Sequence, residues 1–346
     1  MEIAHRLTGP HMPRFTAAPG AFGPYTTVRL NDLKTGASAE IALRGATLLS
    51  LTLPVEDSLV NVIGGYQSPT EFDTLAGARS AILAPFSNRI ESGQYRFNDK
   101  NYCLPKRDKN DNAIHGFVTD CEWRISHLSA DDTQANVVLT TDEINAQQHP
   151  EYPFNIHLEA TFRLTAEGLS LTLEAQNVGN SDAPFGCGWH PYLLPPSGNI
   201  DDCLVSLPHR CAIAVDSRLI PFPGEQAYVS LSDETDDFCT KAKVIGPQNI
   251  DQCYTGPATG EWLRSWLYDP VADVRLEIQQ ERGVVHIYTS HSLPTRQREG
   301  LAVEPNEFIP NAFNRPELAE DVRLEAGQQR VFRCRIVAGK GDNRGR

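Results

Sequence analysis

The chain has 346 residues, 40% of them hydrophobic and 22% charged, which is enough apolar material for a packed core and excludes a disordered protein. Acidic residues outnumber basic ones 44 to 31, a formal charge of -13, which argues against nucleic acid as a partner because that needs clustered Lys and Arg. No apolar run reaches the roughly 18 residues of a membrane span, and the N-terminal MEIAHRLTGPHMPRF lacks the apolar stretch of a secretory signal, so a soluble, cytoplasmic protein without a membrane partner is expected.

In chain order, TTVRLNDLKTGASAEIALRGATLLSLTL gives two or three strands around a turn at Lys34–Ser38. Helical signals are weak, and the best are near Pro69–Leu75 and Asp142–His149. Ile156, Leu158, Ala160, Phe162 and Leu164 then alternate with polar residues, TAEG supplies a turn, and Leu169, Leu171, Leu173 and Ala175 alternate again. That is a β-hairpin with one buried face. VRLEIQQERGVVHIYTSH is a strand, a turn at Glu281–Gly283 and a strand, and RVFRCRIVAG is a terminal strand. Many short strands between Gly, Asn and Asp turns predict an all-β sandwich or barrel. With no linker and no repeat, one domain is expected over residues 20–338, with residues 1–19 and 339–346 as peripheral tails.

Several chemistries have no support. There is no G-x-G-x-x-G or Walker loop for a nucleotide, no G-x-S-x-G elbow and no H-E-x-x-H. The eight cysteines include no C-x-x-C pair and fit scattered free thiols. His286 and His291, five apart in a strand-like segment, are not expected to share a face, which argues against a metal site there. The basic run PKRDKND, with Lys106, Arg107 and Lys109, is interrupted by Asp108 and Asp111 and is either a solvated loop or a contact for an anionic substrate group.

Five stretches could carry chemistry. In APFSNRIESGQY, Arg89 lies between apolar residues and a turn and either binds hydroxyls or pairs with an internal acid. In DNAIHGFVTDCEW, His115 precedes a glycine that lets backbone crowd close. In FGCGWHPYLLP, Pro191 restricts His190, Gly186 and Gly188 permit close approach, and Trp189 and Tyr192 offer flat faces of the kind that pack on sugar rings. In NIDQCYTG, Asp251 follows an apolar residue in a turn-rich segment, a place where an aspartate usually forms an Asx turn. In LAVEPNEFIPNAFN, Glu304 ends an apolar strand before Pro305 and should be partly desolvated, as suits a general base, whereas Glu307 beyond the proline is expected to face solvent. Each residue also has a purely structural reading.

In this order and at these spacings the chain resembles the aldose 1-epimerase (galactose mutarotase) family. LRGATLLSLTLP is similar to its early Gly-Ala strand, NRIESGQYRFNDKNYCLPKRDKNDNAIHGF to its Asn-Arg-Ile through His-Gly succession, HPYLLP to its His-Pro-Tyr-Phe-Asn-Leu segment and AVEPNEFIPNAFN to its Glu-x-x-x-x-Pro-x-x-x-Asn ending. The likeness covers roughly Arg44 to Asn314. It implies a large antiparallel β-sandwich, Glu304 as general base and His190 as general acid, with Arg89, His115 and Asp251 holding sugar hydroxyls. Asn88 of the Asn-Arg-Ile stretch and Trp189 are expected beside the sugar. No redox cofactor or metal is implied. The family's usual Asn after the His-Pro aromatic is replaced by Leu194-Pro195, and Phe117 with the downstream Trp123 leans toward the hexose-6-phosphate epimerase branch. These departures bear on the sugar more than on the reaction. Galactose, glucose, a phosphorylated hexose and a sulfonated or deoxy sugar all fit the motifs, and Lys106, Arg107 and Arg89 are the cations available for a phosphate. A glycoside hydrolase using Glu304 and Asp251, or a non-catalytic sugar-binding module, are the alternatives. The sequence carries no signature of an oligomeric state.

Overall fold

A computed structural model describes residues 12–105, 108–232, 234–235, 237–256 and 262–341. The period-two segments form antiparallel strands in two large sheets. The first has nine strands and is built on the hairpin of Ile156–Thr165 and Gly168–Asn177, flanked by Gln134–Ile144 on one side and the last strand, Gln329–Lys340, on the other. The second has eight, and at its centre Asp251–Thr255, Val284–Tyr288 and Leu301–Asn306 lie side by side. Leu158, Phe162, Leu171 and Ile336 of the first sheet share one core with Val285, Ile287 and Val303 of the second. Phe162 meets Trp189 edge-on across the gap, with ring centroids 6.3 Å apart. The result is a β-sandwich with its core between the sheets.

The second sheet decides where chemistry can occur. Val285 and Ile287 point into the core, so His286 between them points out. Across the ladder, His286 stands directly opposite Glu304. A one-residue register slip would exchange these polar groups with the core side chains, so burial of the other face fixes the register.

Some elements differ from the sequence expectation. The helix near Pro69 exists as Pro69–Asp73, with Ser68 accepting a hydrogen bond from the Glu71 N–H at 3.1 Å. The expected helix over Asp142–His149 does not form. The strand continues to Ile144, and the Asn145 side chain then accepts the N–H groups of Gln147 and Gln148, an Asx turn that competes with helix. The strands on either side of Glu281–Gly283 are not a hairpin: Val274–Gln280 belongs to the nine-stranded sheet and Val284–Tyr288 to the other. The expected N-terminal tail is shorter, because Phe15–Phe22 pairs with Tyr25–Asp32 in a five-stranded sheet. At the other end the last strand runs through Lys340.

Burial of one histidine gives the fold a pH dependence. His209 is fully buried, with Nε2 3.4 Å from the Gly283 carbonyl oxygen, and burial holds its pKa down at about 4. Unfolded, it would bind a proton below about 6.5. As pH falls from that value toward 4, the unfolded state therefore takes up more protons and stability drops, by up to roughly 3 kcal/mol. His209→Gln cannot titrate, so urea unfolding compared at several pH values should show a shallower loss of stability across this window. An unchanged slope would assign the acid sensitivity elsewhere.

Candidate active site

On the outer side of the second sheet lies a cavity of about 580 Å3, within the range of small-ligand sites. Asn88, Arg89, His115, His190, Asp251, His286 and Glu304 all line it. These residues come from six separate chain segments, which the sheet brings together.

His190 and Glu304 meet directly, with Nε2 3.3 Å from Oε1 and both side chains buried. They stand side by side rather than on opposite walls. The backbone holds His190 from both directions: its N–H donates to Ala81 and its carbonyl accepts from Ser80. Its ring stacks on Tyr192 with centroids 5.2 Å apart, and the Tyr192 hydroxyl donates to the Gly77 carbonyl at 2.9 Å. The His115 ring meets His190 edge-on, also at 5.2 Å. Burial lowers the His190 pKa below the ordinary imidazole value, outweighing the upward pull of Glu304. The acidic neighbour alone would have raised it.

Asn306 completes the surroundings of Glu304. Its Nδ2 donates to Oε2 at 3.4 Å. The Asn306 carboxamide lies over Gly188, where an added Cβ would stand 1.8 Å from Oδ1. The glycine therefore makes room for a side chain that serves the carboxylate. Gly188→Ala should push Asn306 aside, cost about 1–3 kcal/mol of stability and lower turnover. Wild-type melting temperature and turnover together would show that Asn306 can move at no cost.

Arg89 is held by two acids. Its Nε donates to Asp108 at 2.7 Å, and the guanidinium is 3.7 Å from Asp251. Asp108 thereby ties the loop that follows to the site, and Lys109 beside it lines the cavity. Lys106 and Arg107 lie outside the described residues. Asn88 has a left-handed φ of 55°, which asparagine tolerates, and its Oδ1 accepts from the Arg89 backbone N–H and guanidinium. His115 is also left-handed, at φ 61°, and an added Cβ on the following Gly116 would stand 1.9 Å from the Ala84 carbonyl oxygen. Backbone strain of this kind clusters at functional sites.

Asp251 lies between His286 and Arg89. Its Oδ1 is 2.6 Å from His286 Nε2, and its other oxygen faces Arg89. Burial would raise its pKa, but the bond to His286 and the charge of Arg89 prevail and hold it well below the usual carboxylate range. For His286, burial pulls down, while Glu304 and Asp251 pull up more strongly, so its pKa is raised.

Three sequence expectations need correction. Trp189 is not beside the cavity: it is fully buried in the core, and its Nε1–H donates to the Ser80 carbonyl at 3.0 Å. Adjacent residues in extended backbone face opposite ways, so His190 reaches the cavity and Trp189 the core. Glu307 does not face solvent: it is buried, paired with Arg282 at 2.6 Å, and accepts the Cys187 N–H at 3.0 Å. His286 and His291 line the same cavity, because the strand ends at Tyr288 and the chain turns before His291. Among the described residues no cluster of three or more His, Cys, Asp or Glu has metal-binding geometry. Sequence reasoning missed His286 as a site residue, although a histidine alternating with buried Val285 and Ile287 was a signal for the outer face.

The β-sandwich is the fold of solved galactose mutarotase-like proteins. Residues 27–337 match the Aldose 1-epimerase family, and the chain belongs to that family. It is 33% identical over 237 residues to the uncharacterized protein YihR of Escherichia coli (strain K12), covering 67% of this chain and 71% of that one. It is 24% identical over 302 residues to the uncharacterized protein YphB of the same organism, covering 81% and 92%. Among solved structures, a galactose mutarotase-like protein from Clostridium acetobutylicum superposes with a TM-score of 0.79 at 17% identity, covering 95% of this chain and 99% of that one. A galactose 1-epimerase from Lactobacillus acidophilus gives 0.77 at 19% identity, covering 96% and 100%. At such identities these two structures establish the fold.

Proposed function

We propose that the protein is an aldose 1-epimerase that interconverts the α and β anomers of a hexose or related aldose by acid–base ring opening. The observation that carries this reading is the buried contact of His190 and Glu304 within a sugar-sized cavity. In ring opening the C1 hydroxyl loses a proton, the ring oxygen gains one, and the C1–O5 bond breaks to the aldehyde. Rotation about C1–C2 and reclosure give the other anomer. The two oxygens share one carbon, so the acid and base must be near neighbours, and a pair in direct contact suits that requirement. Glu304 takes the hydroxyl proton and His190 supplies the ring-oxygen proton. Arg89, His115, Asp251 and Asn88 bind hydroxyls and orient the ring. A lowered pKa makes protonated His190 a stronger acid and a rarer one, so its protonation governs the active fraction. The chemistry runs on these side chains with no redox step.

Asp251 also lines the cavity, which gives a glycoside hydrolase a second carboxylate. However, the bond to His286 and the charge of Arg89 favour Asp251 as an anion, which argues against it as the acid that protonates a leaving group. All eight cysteines are free thiols, which suits a reducing, cytoplasmic setting. The test is anomer exchange by NMR or polarimetry on freshly dissolved sugars, 6-phosphates included, beside a nitrophenyl glycoside. Exchange accelerated over the water rate without nitrophenol release is expected. Binding with exchange at the water rate marks a binding module, and nitrophenol release marks a hydrolase.

A further inference from the structure

The proton path above leaves His286 without a role, yet it is buried at the centre of the site. Its Nε2 is 2.6 Å from Asp251 Oδ1. A carboxylate only accepts, so Nε2 carries the proton. On the other side of the ring, Nδ1 is 3.4 Å from Asn88 Nδ2. The orientation of that amide is fixed, because Asn88 Oδ1 accepts from Arg89. The same Asn88 thus sets both groups that face Asp251: Arg89 through its oxygen and His286 through its nitrogen. Glu304 stands opposite His286 on the neighbouring strand, and Asp251 lies on the strand at its other side, in the ladder where Cys253 pairs with His286.

We propose that His286 is a positioning residue that holds the Asp251 carboxylate toward the sugar, with Asn88 fixing the ring so that its Nε2 proton points at Asp251. This rests on the reading of Asp251 as a ligand to sugar hydroxyls. A histidine oriented through its second nitrogen is the arrangement by which ligating side chains are commonly held. Without it, the one side-chain ion pair left to Asp251 among the described residues is the longer contact to Arg89. His286 therefore acts on binding through Asp251, apart from the transfer step at Glu304 and His190. The charged and titratable groups that face it are Asp251, Glu304, Arg89 and His190, with Asn88 closing the remaining side.

The test separates binding from turnover. Losing a hydrogen bond to a charged group costs a factor of about 10 to 100. His286→Phe should raise KM by about that factor while kcat stays within about threefold. His286→Gln, whose amide can donate to Asp251, should restore most of the loss. A wild-type KM in His286→Phe, or a glutamine variant no better than phenylalanine, overturns the proposal. Nitrogen NMR of histidine-labelled wild type provides a readout independent of activity and of the folding of either variant. His286 should carry a proton on Nε2 at neutral pH, and Asp251→Asn should move its signals. An unprotonated Nε2, or signals that ignore Asp251→Asn, overturns the proposal by itself. If the wild type proves inactive on every sugar, the epimerase reading fails, and the NMR result still decides whether His286 holds Asp251.

Discussion

Glu304→Gln is expected to abolish most anomer exchange while leaving the protein folded. Glu304 is 2% exposed and lies against His190 Nε2 and Asn306 Nδ2. Glutamine keeps the volume and can still accept from Asn306, so no cavity opens in the sheet. It cannot take a proton from the C1 hydroxyl. A positioned proton-transfer group contributes roughly 10²- to 10⁴-fold, and kcat should fall within that range. Glu304→Ala should lose as much activity, with an added stability cost from the space it leaves. Exchange NMR gives the rate, and thermal unfolding gives the check on folding. Turnover equal to wild type in a folded Glu304→Gln protein would remove the base from the mechanism and leave the His190 contact without a chemical purpose.

The sandwich was legible because its signal is local. Alternation in the hairpin from Ile156 to Asn177 marks strands with one buried face, and no competing helical period obscures it. Matching the strands to sheets was not legible. The residues around Glu281–Gly283 look like a hairpin turn, and only the pairing of Val284–Tyr288 with Leu301–Asn306 shows that the chain changes sheets there. The same non-local pairing hid His286, whose place in the site comes from its position across from Glu304. Facing was the other difficulty. Trp189 and His190 are adjacent and equally suggestive as letters, but extended backbone sends one to the core and one to the cavity. Glu307 looked like a surface residue because its partner, Arg282, lies 25 positions away. The close approach that Gly188 permits is made by the Asn306 side chain. What the motifs did carry was which residue types to expect in one place. Arg89, His115, His190, Asp251 and Glu304 lie far apart in sequence, and all line one cavity.

The direction of the pH dependence follows from His190. Burial is the largest influence on its ring, and it lowers the pKa below 6.5 despite the adjacent Glu304. The protonated form, which donates to the ring oxygen, is lost as pH rises through that lowered value. kcat/KM reports the free enzyme, so it should climb as pH falls from neutrality across the acidic side of 6.5. His190→Gln should lose this limb and turn over about 10²- to 10⁴-fold more slowly. The competing source of a limb is His286, whose pKa is displaced the other way by Glu304 and Asp251. A limb set by His286 would therefore fall above 6.5, and His286→Gln would remove it. The same displacement of His190 acts on stability with a definite sign. Below 6.5 the unfolded chain protonates this histidine more readily than the folded one does, so stability falls with pH and His190→Gln should blunt that fall. A wild-type profile that is flat through the acidic range, or a limb that survives His190→Gln unchanged, would place the donated proton on another group.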